Sequence, residues 1–206
     1  VLDGLRIAVN GGEIVLDEPR IELRPGERLL LVGRRGIGKS TVFNALAGLW
    51  PYGAGRIAMP ARDRVMFVPE RPYLPLGTLR VAVAYPADQT RIDETAMVAG
   101  LERVGLGHLT GALDQERRWD QELGLEDQQR LIVARMLVHR PSVVVMDEAL
   151  GALDADRRAL LESIFASELA GATVIGFGDA PSGDGFYHRH ATIRRRPARR
   201  GAEQPD

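Results

Sequence analysis

At 206 residues the chain suits one α/β domain, or a core carrying a small inserted lobe. Its 27 basic and 28 acidic residues leave a formal charge of −1, which gives no reason to expect a nucleic-acid partner, and its 45% hydrophobic content is that of an ordinary globular protein. The absence of cysteine excludes disulfides and thiolate-held metals, in agreement with a reducing cytosol, and no apolar run approaches the ~18 residues of a membrane span.

Leu5 to Val9 and Glu13 to Leu16 read as strands, with Asn10-Gly11-Gly12 between them as a hairpin signal. Ile21 to Leu23 and Arg28 to Val32 flank Arg24-Pro25-Gly26-Glu27, where proline and glycine sit as a tight reversal wants them. A glycine-rich loop follows, then a helix over Thr41 to Ala47, then a short apolar strand over Val65 to Val68. From about Thr78 to His139 the pattern turns helical, with Leu101, Val104 and Leu109 on one face and Leu131, Ala134, Arg135 and Val138 forming another stripe. Val143 to Met146 is a buried parallel-type strand, Asp156 to Leu169 an amphipathic helix and Thr173 to Gly176 a last core strand. The tail carries Arg189, Arg194, Arg195, Arg196, Arg199 and Arg200; over 195–206 it reads as a solvated, disordered end, with contact to an anionic lipid surface as the alternative. Residues 1–194 are thus expected to form one nucleotide-binding α/β domain with a helical insert at about 78–140. A start at Val1 instead of Met is what a piece of a longer chain would show.

Two constellations carry chemistry. Gly33 to Ser40 read G-R-R-G-I-G-K-S and fit G-x-x-x-x-G-K-[ST], the loop that wraps the phosphates of ATP or GTP. Gly33, Arg34, Arg35, Gly36, Ile37, Gly38, Lys39, Ser40 and Thr41 are the expected cradle. Its glycines let backbone N–H groups turn inward, Lys39 neutralises the β- and γ-phosphates, and the Ser40 hydroxyl sits on Mg²⁺. An apolar strand before the loop and a helix after it supply the required setting. Further on, four apolar residues lead into Asp147-Glu148. Asp147 is placed to hold Mg²⁺ through water, and Glu148 to polarise an attacking water, since in-line phosphoryl transfer needs a positioned nucleophile.

From about Leu5 to Ile193 the sequence resembles the ATP-binding cassettes of ABC transporters. Leu123 to Arg130, L-G-L-E-D-Q-Q-R, stands where that family has its signature segment, and Ala149 to Asp154, A-L-G-A-L-D, resembles the segment after the Walker B acids. Pro69 to Arg80, with Ala47-Gly48-Leu49-Trp50-Pro51 and Trp119, is similar to the group of peroxisomal fatty-acyl-CoA transporters and SbmA/BacA-type importers. The resemblance implies a P-loop NTPase (RecA-like) α/β core with an antiparallel β subdomain and a helical insert. It also implies ATP and Mg²⁺ as cofactors, a second nucleotide-binding domain and a transmembrane domain as partners, and the cytoplasmic face of the cell membrane as location. Each ATP would lie between one subunit's Walker motifs and the other's Gly124, Leu125, Glu126 and Asp127. An ATP-binding dimerisation module with little or no hydrolysis is the alternative.

Several positions depart from the family's pattern. Glu70 stands where the family has a Gln, and its carboxylate can still ligand Mg²⁺ but brings a charge close to the γ-phosphate; Gly124 removes the signature hydroxyl and Glu126 replaces its glycine. Asp179 stands where a histidine normally donates to the γ-phosphate, so the catalytic set Lys39, Glu70, Glu148 and Asp179 is expected to bind better than it turns over. Arg35 is expected to offset this acidity, by pairing with Glu126 across a dimer or by touching the γ-phosphate. No aromatic residue precedes Phe43, so any base contact near Asn10 to Val15 is expected to be aliphatic or polar.

Overall fold

A parallel sheet and an antiparallel one meet along a single strand. The computed structural model describes residues 1–147, 155–181 and 185–197. β1 (Leu2–Val9) and β2 (Gly12–Leu16) form the expected hairpin, with Gly11 at φ 76° in the turn, a left-handed conformation that favours glycine. The short β3 (Arg20–Ile21) pairs with the start of β1. β4 (Arg28–Val32) ends in the glycine-rich loop, which opens α1 (Lys39–Leu46). β5 (Gly53–Ile57) then returns to pair with β1. Its Gly-Ala-Gly start has little β-propensity, which hides it from a sequence reading; Gly53 is needed because a Cβ there would stand 2.2 Å from the Arg6 carbonyl oxygen.

β6 (Val65–Val68) precedes a helical lobe, as expected, but the lobe also contains a small ribbon. In order come β7 (Gly77–Thr78), α2 (Leu79–Ala84), α3 (Glu94–Arg103), β8 (Glu116–Arg117), α4 (Trp119–Glu122) and α5 (Leu125–His139). Leu79, Met97, Leu101, Leu131 and Ala134 are fully buried where α2, α3 and α5 meet. Arg135 sits in this lobe as a buried cation. Its Nε donates to the Ala82 carbonyl at 2.6 Å and a terminal nitrogen donates to that of Tyr73 at 2.9 Å, while burial pushes its pKa down to about 10.

β9 (Val143–Met146), α6 (Ala155–Ala166), β10 (Thr173–Gly178) and β11 (Arg189–Pro197) complete the core. Among the described residues, the sheet path runs β3-β1-β2-β11-β4-β10-β9-β6. All four residues of β9 are buried, as a parallel strand covered on both faces requires. β11 pairs parallel with β4 over Arg189 to Thr192 and antiparallel with β2 over Ile193 to Pro197. The ordered domain therefore runs past the boundary expected at 194, and Arg195 and Arg196 lie in a strand. The arginine run reads as solvated because those two side chains are exposed, while Ala191 and Ile193 supply the inward alternation. No helix among the described residues is long and apolar enough to cross a membrane.

Candidate functional site

The glycine-rich loop leaves β4 at the carboxyl edge of the parallel strands, where open α/β sheets bind ligands. The Gly33 amide donates to the Gly178 carbonyl at 2.9 Å, tying the loop to the end of β10. A Cβ on Gly33 would stand 2.7 Å from Ile37 Cγ2, so this close packing tolerates only glycine. Gly36 and Gly38 take φ 78° and 111°, and the loop delivers the chain to the amino terminus of α1, whose free N–H groups attract anions. Phe43 anchors α1 below, meeting Phe67 and Phe177 edge-on with ring centres 5.6 and 6.2 Å apart. Arg34, Arg35 and Gly36 are exposed on the loop, while Lys39 is only 7% exposed and donates from Nζ to the Gly33 carbonyl at 3.1 Å. Ser40 is exposed in the first helical turn, and Thr41 is half-buried beside it.

Gly38→Ala is expected to destabilise the fold by about 1–3 kcal/mol and to weaken nucleotide binding with it. The new Cβ would meet φ 111° and stand 2.3 Å from Cδ1 of Ile14, which is itself 1% exposed and has little room to yield. A thermal melt and calorimetry check this; an unchanged melting temperature would contradict it.

Asp179 follows β10 directly, and its carboxylate forms an ion pair with Lys39. Its pKa lies below the usual carboxylate range, first because of the Lys39 hydrogen bond and charge and then because of the charge on Arg35. Within this chain, then, the Arg35 charge acts on Asp179. Glu126 is offset locally, by Arg130 one turn along α5 at 2.8 Å, and Asp127 meets the same arginine at 3.4 Å.

Asp147 is half-buried at the end of β9, its amide donating to the Val68 carbonyl at 2.9 Å. β10 lies between β9 and β4, so Asp147 and the loop open on the same sheet edge. The oxygen donors of Ser40 and Asp147 are of the type a hard cation takes. Glu70 is exposed just past β6 and lines a small apolar cleft with Val68, Gln129 and Ile132. Gly124 caps α5, and Leu125, Glu126 and Asp127 form its first turn in the helical lobe. Gly124 and Leu125 are exposed, and a Cβ on Gly124 would meet nothing within 4 Å. Glu148 and the segment to Asp154 lie outside the described residues.

A cleft of about 640 Å³ adjoins the loop. Gly36, Ile37, Gly38 and Thr41 form one side, and Ala8, Val9, Asn10 and Ile14 of the hairpin form another. The expectation of aliphatic and polar residues near Asn10 to Val15 describes this hairpin side. The cleft also has an aromatic side, Trp50 and Tyr52, from the turn between α1 and β5. The Trp50 indole donates to the Ala8 carbonyl at 3.0 Å, and the Ala8 amide donates to the Tyr52 carbonyl at 3.0 Å, which pins the turn onto β1. Arg195 of β11 closes the rim and donates to the Asn10 carbonyl.

The family model described as ABC transporter matches residues 16–151. An uncharacterized ABC transporter ATP-binding protein of Haemophilus influenzae is 36% identical over 167 residues, covering 81% of this chain and 28% of that protein. Human ATP-binding cassette sub-family D member 3 is 35% identical over 162 residues, covering 75% of this chain and 25% of that protein. The chain spans about a quarter of the length of these curated relatives. Among solved structures, a bacterial Atm1-family ABC exporter with ATP bound shares the fold, with a TM-score of 0.72 and 23% identity over 87% of this chain and 34% of that one.

Proposed function

The chain belongs to the ABC transporter family, and from that premise we propose that it is the ATP-hydrolysing cassette that powers or gates a membrane transporter. One observation carries the reading. Lys39 is buried at the amino terminus of α1, held on the Gly33 carbonyl inside a glycine loop. A buried lysine at the mouth of an anion-attracting helix suits a polyphosphate far better than it suits a packed core.

In this reading the loop amides and Lys39 grip the β- and γ-phosphates, and Glu148 orients the attacking water. Ser40 and Asp147 would hold Mg²⁺, which would supply positive charge to offset that of the phosphates. The exposed first turn of α5, opened by Gly124, is offered to the nucleotide of a second cassette. A transmembrane domain is the other partner, at the cytoplasmic face of the membrane. The Asp179 carboxylate on Lys39 must be displaced by the nucleotide, which weakens binding, and it cannot donate to the charge that develops in the transition state, which supports slow turnover.

Phosphate release from MgATP by the wild type and by Glu148→Gln tests this. Both are expected to bind MgATP, with the wild type turning over slowly and Glu148→Gln at least about 100-fold slower again, as loss of a positioned base implies. Equal rates, or no MgATP binding by either protein, would overturn the proposal.

A further inference from the structure

We infer that Tyr52, buttressed by Trp50, forms the stacking wall of the nucleobase subsite, so that this chain grips a purine from the turn between α1 and β5 and not from its amino-terminal hairpin. The inference rests on the ATP-binding reading above. With the phosphates fixed on the loop amides, the nucleoside must leave past Thr41 and Gly38. Both residues line the cleft that Tyr52 and Trp50 close.

The two rings are built for different tasks. Trp50 is half-buried, packs against the core and is fixed by its indole bond to Ala8. Tyr52 is 65% exposed, with its ring centre 5.8 Å from that of Trp50 and the two planes 79° apart. An anchored indole holding an exposed phenol edge-on leaves most of the phenol surface to a ligand. The phenol face that Trp50 does not cover is open to the cleft, and a flat aromatic base gains directly from such a face. The hairpin side contributes Ala8, Val9 and Ile14, which offer an apolar surface without a ring. Asn10 and Arg195 supply polar groups at the rim. Stacking tolerates any base but favours the larger purine surface, so ATP should be preferred over UTP.

Calorimetry with MgATP, MgUTP and magnesium tripolyphosphate separates base from phosphate. Tyr52→Ala is expected to weaken MgATP about tenfold, inside the roughly 5- to 150-fold range for loss of one base stack, and to leave tripolyphosphate unchanged. Tyr52→Phe keeps the ring and is expected to keep the MgATP affinity and the preference over UTP. ATP, but not tripolyphosphate, should quench tryptophan emission, and Trp50→Phe should abolish that quenching. Wild-type MgATP affinity in Tyr52→Ala, or equal weakening of ATP and tripolyphosphate, would overturn the inference. Failure of the wild type to bind even tripolyphosphate would instead remove the phosphate reading, and this subsite with it.

Discussion

Replacing Lys39 with Met is expected to weaken MgATP binding by at least about 100-fold while preserving most of the fold, because charge-assisted hydrogen bonds to two phosphates are lost together. The methionine keeps an apolar stem in a position that is only 7% exposed, so the packing around α1 survives. What disappears is the positive charge beside the loop amides, and with it the partner of Asp179. Asp179 then stands near the phosphates with its charge uncompensated except by the field of Arg35, which adds repulsion to the loss. Calorimetric affinity within a few-fold of the wild type would show that the triphosphate lies elsewhere.

Asp179→His is expected to raise ATP turnover roughly 100-fold, by returning a donor to the place where transition-state charge develops. The substitution acts twice. It frees Lys39 from a competing carboxylate, and it replaces a repelling group with an N–H donor. Asp179→Asn separates the two effects, because it removes the charge without supplying the imidazole. MgATP affinity should rise about three- to tenfold in Asp179→Asn, with a smaller gain in rate.

The pH behaviour offers an independent check. The Asp179 carboxyl has its pKa lowered in the fold by Lys39 and then Arg35, so its pairing is complete above the ordinary carboxylate range and is lost only as pH falls through the lowered value. Between about pH 6 and 9 this pair therefore adds no pH dependence in the wild type. Asp179→His introduces a group that titrates near about 6.5 and should give turnover a new inflection there. Turnover unchanged in both variants, with no inflection, would mean that Asp179 does not face the nucleotide.

The sequence announces the phosphate loop because everything it needs is local: two glycines at positive φ, a lysine and a serine within one turn, and an apolar strand ahead of them. β9 is equally legible, since four consecutive apolar residues before two acids suit a strand buried on both faces. Long-range partners are not local. Trp50 reaches Ala8 across 42 residues, and nothing near Asn10 signals that two rings will fold back over it. Lys39 and Asp179 are 140 residues apart; the identity of Asp179 foretells repulsion of phosphate, but its ion pair with the loop lysine follows from β10 lying next to β4. Arg35 is visible as excess charge, and only the fold sets it against Asp179. β5 and β11 escape notice for opposite reasons, the first too rich in glycine and the second too rich in arginine to look like strands.

β11 has a mechanical consequence. One continuous length of backbone is bonded first to the strand that launches the phosphate loop and then to the hairpin that walls the cleft. The two sides of the cleft are therefore held in one hydrogen-bonded register, and shifting the hairpin against the loop strand would break ladder bonds along β11.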